Sequence, residues 1–106
     1  MTISGATSST VTAQLRERDG IVFLNLTQDK VLVTTSADWI KITIPGAYRP
    51  TVDRYGVYTY NRGGLAPCGH FRMLTTGELR LYESPFSTFP SAVTVTLYSQ
   101  TLMWYQ

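Results

Sequence analysis

The stretch Trp39–Pro50 alternates between apolar and polar residues and then ends in a turn-forming sequence. Because side chains in a β-strand point alternately to its two faces, the alternation predicts a strand with one buried side. Pro45 lacks an N–H donor and Gly46 permits positive φ, so the strand is expected to end there. Pro50 favours an extended Arg49, which we expect to fix the corner rather than to contact a ligand. The buried face would hold Ile40, Ile42 and Ile44, and the outward face Trp39, Lys41 and Thr43.

A first hairpin is predicted around Asp19-Gly20, where both central residues can take positive φ. A two-residue loop pairs Leu15 with Leu24, so apolar residues meet on one face of the ladder. The register that the turn implies therefore agrees with the apolar pattern.

A second hairpin is predicted around Thr75-Thr-Gly77, with Gly77 in the left-handed conformation. The same register places Arg72 opposite Arg80, and like charges in that position destabilise a ladder. We therefore expect a carboxylate, a partner subunit or a ligand to compensate. The apolar pairs in this register are Phe71 with Leu81 and Met73 with Leu79.

Further short alternating runs are separated by turn residues, and no stretch combines a helical period with helix caps. The pattern predicts an all-β fold, an antiparallel β-sandwich or small barrel of about seven to nine strands. Residues 1–9 are small and polar, which predicts a flexible lead-in or the end of a shaft. Residues 10–106 would form the β domain, with the apolar end Leu102–Gln106 held in a sheet or an interface.

Charged residues make up 15% of the 106 residues, and the formal net charge is +2. The nine basic residues are spread along the chain, so we expect no nucleic-acid partner, because that requires a concentrated cationic surface. No apolar segment is long enough to predict membrane insertion. The single cysteine, Cys68, excludes an intramolecular disulfide, and the single histidine, His70, excludes a multi-histidine metal site. No cofactor is expected.

Aromatic residues are prominent, with seven tyrosines, four phenylalanines and two tryptophans. Aromatic faces with a few fixed hydrogen-bonding groups are typical of small-ligand sites. An enzyme is not expected, because nothing in the sequence brings Asp53 and Glu83 together as an acid–base pair. The aromatic residues could also cover a sheet face or fill a subunit interface. The candidate ligand-binding residues are Trp39, Asp53, Tyr55, Tyr58, Tyr60, Asn61, Arg62, His70 and Arg72, with the loop Asn61–Gly69 beside them.

The segment Trp39–Pro50 resembles a pattern at the ends of tail-fibre and baseplate proteins of tailed bacteriophages. In those proteins an apolar strand ends in a proline, one or two small residues and Tyr-Arg-Pro, and the chain continues into a tyrosine-containing strand. The hairpin Thr75–Tyr82 and the earlier hairpin Val11–Leu26 are similar to later and earlier parts of such domains. The similarity in order and character extends over residues 10–98.

The resemblance implies a receptor-binding head domain, similar to those of phages that infect Gram-positive bacteria such as lactococci. Such heads are homotrimeric β-sandwiches or barrels that bind host cell-wall saccharide without cleaving it. They lie at the distal end of the phage tail in the virion, where they contact other tail and baseplate proteins. The tryptophan and histidine of such sites would correspond to Trp39 or His70.

Three other functions remain open from the sequence. The same Tyr-Arg-Pro pattern occurs in phage domains that only build the baseplate, so a structural trimerisation module is the alternative. A monomeric carbohydrate-binding module attached to an enzyme predicts a monomer instead of a trimer. A glycosidase would release reducing ends from a polysaccharide.

Overall fold

Strands account for about 58% of the computed structural model, which describes residues 1–7, 10–35, 38–64, 68–83 and 87–106. The described residues contain no α-helix, and one 3₁₀ turn spans Gly46–Tyr48. The all-β class predicted from the alternating pattern is therefore confirmed. The strands are β1 Ile3–Ser4, β2 Ala13–Arg18, β3 Ile21–Leu26, β4 Lys30–Val33, β5 Ile40–Thr43, β6 Arg54–Asn61, β7 Cys68–Met73, β8 Glu78–Tyr82, β9 Thr94–Leu97 and β10 Gln100–Tyr105.

The strands form two antiparallel sheets that enclose one apolar core. A curled seven-stranded sheet has the order β1-β5-β8-β7-β6-β9-β4, and a three-stranded sheet has the order β10-β3-β2. Both sheets contribute to the core, because the buried cluster combines Leu24 and Leu102 of the small sheet with Ile42 and Leu79 of the large one. The outward residues of both sheets therefore form the surface on which a ligand could bind.

Both predicted hairpin registers are confirmed. Leu15 pairs with Leu24 across a turn in which Asp19 and Gly20 have φ of 54° and 79°. In the second hairpin Arg72 pairs with Arg80, and Gly77 has a φ of 99°. Local turn chemistry therefore sets these two ladders, as the apolar pairs on each side require.

Two of the opening residues, for which a flexible lead-in or the end of a shaft was expected, form an edge strand of the large sheet. Ile3 pairs with Ile42 in β5 and its side chain is only 4% exposed. The amino group of Met1 donates a hydrogen bond of 2.8 Å to the carbonyl oxygen of Val11. One apolar residue among small polar ones is enough to add an edge strand, because β5 offers a free side for pairing. Ser8 and Ser9 of this segment lie outside the described residues.

The corner after β5 is fixed by two side chains, as expected for Arg49. Arg49 Nε donates a hydrogen bond of 2.9 Å to the carbonyl oxygen of Ile44, and its guanidinium packs against Gly77. Trp104 Nε1 donates a hydrogen bond of 2.9 Å to the carbonyl oxygen of Tyr48. The corner is thereby tied to both the second hairpin and β10.

Strand β6 lies where the two sheets meet. It pairs with β7 through Arg54–Thr59 and with β9 only through Tyr60 and Asn61. Beside its first part lies β10, whose ladder partner is β3. Side chains, not a backbone ladder, connect β6 to β10 among the described residues, and these contacts determine the shape of the surface between the two sheets.

Candidate functional site

A groove of about 420 Å³ lies between β6 and β10, and we call it the seam groove. Tyr55 and Tyr105 border it from the two strands, and their side chains are 60% and 59% exposed. Tyr55 lies on the same side of β6 as the exposed Val57, and Tyr105 alternates with the buried Trp104 on β10, so both tyrosines point outward. The residues that line the groove are Ile21, Asp53, Arg54, Tyr55, Met103, Trp104 and Tyr105.

Side-chain hydrogen bonds hold the two walls of the seam groove together. Arg54 donates from Nε to the carbonyl oxygen of Tyr105 at 3.0 Å and from Nη2 to that of Gln106 at 3.2 Å. At the other end, the Gln100 amide accepts from the N–H of Thr59 and donates to its carbonyl oxygen, both at 2.8 Å. Each of these side-chain contacts takes the place of a backbone hydrogen bond that β6 and β10 would make if they were paired strands.

Asp53 connects the seam groove to the outer face of the large sheet. Its Oδ2 accepts from Arg72 Nη2 at 3.0 Å, and its Oδ1 accepts from the N–H of Thr75 at 3.1 Å. Arg72 also lies 5.8 Å from the centre of the Tyr55 ring. Asp53, Tyr55 and Arg72, all predicted as site residues, are therefore brought together.

Three cations stand in one row on that outer face, and we call Lys41, Arg80 and Arg72 the cation ladder. Lys41 pairs with Arg80 in the β5–β8 register, and Arg80 pairs with Arg72 in the β8–β7 register. Tyr55 continues the row on β6, because it pairs with Arg72. The row thus begins at the edge of the seam groove and crosses four neighbouring strands.

Carboxylates compensate part of this charge, as the Arg72–Arg80 pairing led us to expect. Asp53 neutralises Arg72, and Glu78 Oε2 accepts from Arg80 Nε at 2.8 Å. Hydrogen bonding to Asp53 is the main cause that raises the pKa of Arg72. The pKa of Arg80 is lowered by burial but raised overall by hydrogen bonding to Tyr82 and Glu78. Both guanidinium groups therefore stay charged.

Aromatic rings surround the cation ladder. The Arg80 guanidinium lies over the Trp39 ring at 4.3 Å, and the rings of Trp39 and Tyr82 are 5.7 Å apart. His70 pairs with Tyr82 in the neighbouring row. Trp39 and His70 therefore lie with the other predicted residues on the outer face of the large sheet. The stacked Arg80 guanidinium covers one side of the Trp39 ring.

Tyr58 and Tyr60 lie in the core, each about 2% exposed, and we leave them out of the candidate site. The Tyr58 hydroxyl donates to the carbonyl oxygen of Tyr82 at 2.8 Å, and the two tyrosine rings are 5.5 Å apart. Burial raises the pKa of Tyr58 above its ordinary value, and burial together with Glu83 raises that of Tyr60 to about 12. They point inward because they alternate with Tyr55 and Val57 along β6.

Asn61 and Arg62 lie at the opposite end of β6 from Asp53. Asn61 Nδ2 donates to the Tyr98 hydroxyl at 3.0 Å, and its Oδ1 accepts from the N–H of Gly64 at 3.1 Å. Arg62 forms a two-pronged ion pair with Glu83. These side chains support the chain reversal after β6. Residues 65–67 of the predicted loop Asn61–Gly69 lie outside the described residues, and β7 already begins at Cys68.

The sequence did not identify the second wall of the seam groove. The terminal segment is held in the small sheet as β10, as expected, and its outward residues Met103 and Tyr105 are 54% and 59% exposed. Their alternation with the buried Leu102 and Trp104 marks them as outward residues. Nothing in the local pattern, however, indicates that β10 lies beside β6.

Comparison with known proteins does not assign this chain to a family. No family model matches it, and no curated protein matches it significantly. Within the described residues, no group of three or more His, Cys, Asp or Glu side chains could hold a metal ion. The same residues contain no helix that is long and apolar enough to cross a membrane.

Proposed function

We propose that the chain is the receptor-binding head of a tailed bacteriophage, which binds host cell-wall saccharide without cleaving it. The observation that carries the proposal is the seam groove, in which Tyr55 and Tyr105 present exposed rings on either side of fixed polar groups. Aromatic faces pack on the apolar faces of sugar rings, while fixed hydrogen-bonding groups select their hydroxyls. The head would work as a homotrimer at the distal end of the tail, attached to other tail and baseplate proteins.

A trimer would raise the overall affinity for polysaccharide, because three weak sites would bind the same particle. Shallow grooves of this kind bind one saccharide unit weakly, and several sites on one particle multiply the effective affinity. The resemblance of Trp39–Pro50 to phage tail proteins supports this arrangement, because receptor-binding heads of that kind are homotrimers.

Binding of purified protein to cell-wall polysaccharides from lactococci and other Gram-positive bacteria tests the proposal. We expect Tyr55→Ala and Tyr105→Ala each to weaken binding about fivefold to thirtyfold, because each removes a ring worth about 1–2 kcal/mol at a binding surface. Val31→Ala is the control, because Val31 is 61% exposed and lies on β4, outside the groove. Unchanged binding by both tyrosine variants would refute the proposed site.

The second candidate is a structural trimerisation module of the baseplate or tail fibre. It is favoured by the exposed apolar residues Val31 and Val33 on β4, an edge strand of the large sheet. This function predicts a trimer that binds no polysaccharide and that Val31→Glu dissociates. Light scattering on the eluting protein measures the oligomeric state, and release of reducing ends from polysaccharide would indicate a glycosidase instead.

A further inference from the structure

We infer that the cation ladder binds the acidic groups of a saccharide chain that extends from the seam groove across the outer face. The inference rests on the proposed function, because it specifies the charge class of the same ligand. The acidic group is an oxyanion, either a carboxylate or a phosphate carried by the sugar chain. Neutral polysaccharides would then use the seam groove alone.

The charges of the ladder do not cancel. Its three cations lie on adjacent strands, which are spaced by about 4.8 Å, so they span about 10 Å. Asp53 and Glu78 neutralise the two arginines. Among the described residues, no carboxylate lies within ion-pair distance of Lys41. One positive charge is thus left at the end of the row farthest from the seam groove.

Some hydrogen-bond donors in and beside the cation ladder also lack acceptors. Arg72 Nε and Trp39 Nε1 are buried and have no hydrogen-bond acceptor among the described residues. Guanidinium, indole and ammonium groups can only donate. The ammonium group of Lys41 adds donors that no carboxylate of the described residues accepts, and a ligand rich in acceptor oxygens and negative charge complements it.

Tyr55 makes the ladder continuous with the seam groove. Its ring borders the groove, and Arg72 of the ladder lies 5.8 Å from the centre of that ring. A sugar stacked on Tyr55 would therefore bring its next unit over Arg72 and the following units toward Lys41. The ring contact and the charge contact would act on neighbouring units of one chain.

Two pairs of polymers that share their sugar units but differ in charge test the inference. The first is phosphomannan with mannan, and the second is polygalacturonate with its methyl ester. We expect the protein to prefer the acidic member of at least one pair, with a preference that falls as salt is raised. The pair that shows it distinguishes phosphate from carboxylate recognition.

Lysine substitutions provide a matched control, because the chain contains only Lys30 and Lys41. We expect Lys41→Gln to weaken binding of the acidic polymer about twofold to fivefold and to leave the neutral polymer unaffected. Lys30→Gln makes the same change in net charge on β4 and should have no effect. Glu78→Gln should strengthen binding of the acidic polymer about twofold, because it removes the carboxylate that neutralises Arg80. Thermal melts check that all three variants are folded.

Three outcomes would overturn the inference. These are equal binding of the acidic and neutral members in both pairs, equal losses for Lys30→Gln and Lys41→Gln, and binding of single-stranded RNA as tight as that of the acidic polymer. If neutral polymer still binds in a way that depends on Tyr55, the proposed function stands and only the acidic preference is refuted. If no polysaccharide binds, both fail.

Discussion

Replacing Gly69 with alanine would test how tightly β7 and β6 are packed beneath the outer face. Gly69 pairs with Tyr58, and a Cβ atom placed on it would lie 2.5 Å from Cε1 of the Tyr58 ring and 2.7 Å from the carbonyl oxygen of Tyr82. Real Cβ contacts are longer than 3.0 Å. The tyrosine ring, the β8 backbone or both must therefore move.

The Tyr58 ring has little room to yield. It is 2% exposed, its hydroxyl donates to the Tyr82 carbonyl oxygen at 2.8 Å, and it stacks on Tyr60 at 5.5 Å. Overpacking of a core costs about 1–3 kcal/mol, and the loss of one buried hydrogen bond adds about 1 kcal/mol. We expect Gly69→Ala to lower the free energy of unfolding by about 2–4 kcal/mol.

Urea unfolding of the variants measures this loss. Gly46→Ala is the control, because nothing lies within 4 Å of a Cβ atom at Gly46. Tyr58→Phe removes the same hydrogen bond, so Gly69→Ala should cost about 1 kcal/mol less in that background. A loss below about 0.5 kcal/mol for Gly69→Ala, or full additivity with Tyr58→Phe, would show that the ring is not fixed as described.

Two further predictions concern the core at high pH and the contact between the sheets. The free energy of unfolding should stay constant up to about pH 10 and then fall toward pH 12, by at most about 1.4 kcal/mol per pH unit for each buried tyrosine. The sign follows because the raised pKa of Tyr60, about 12, keeps it protonated in the folded protein while the unfolded chain ionises. Gln100→Ala should lower the free energy of unfolding by about 1 kcal/mol, because it removes the two hydrogen bonds to the backbone of Thr59.

Conservative variants serve as controls for these two predictions. Tyr60→Phe should flatten the fall in stability above pH 10, whereas Tyr105→Phe should leave it unchanged because Tyr105 is exposed. Equal pH dependence of stability in the wild type, Tyr60→Phe and Tyr105→Phe would contradict the attribution of the fall to Tyr60. Gln100→Glu can still accept from the N–H of Thr59 but cannot donate to its carbonyl oxygen, so its stability should lie between those of the wild type and Gln100→Ala.

Local patterns were sufficient to predict the hairpins of this fold. Asp19-Gly20 and Gly77 permit one kind of turn each, and a turn of known length fixes which residues face each other. The pairing of Arg72 with Arg80 followed directly, together with the need for a compensating carboxylate. These features depend on residues that are close in the sequence.

The candidate site could be predicted only in part. Alternation along β6 places Tyr55 and Tyr58 on opposite faces, but the sequence does not show which face is buried, because aromatic and apolar residues occur on both. The groove itself depends on β10 lying beside β6, about 50 residues earlier in the chain. No turn or apolar period encodes such a distant contact, because it results from how the two sheets close over a common core.

The side-chain contacts that join β6 to β10 have a consequence for how this surface could diverge among related chains. Arg54 and Gln100 set the separation of the two walls, and neither contributes its side chain to a ladder. A shorter or longer residue at either position would change the width of the groove while every strand kept its partner. Substitution at two positions would therefore change the shape of this groove without any insertion, deletion or new topology.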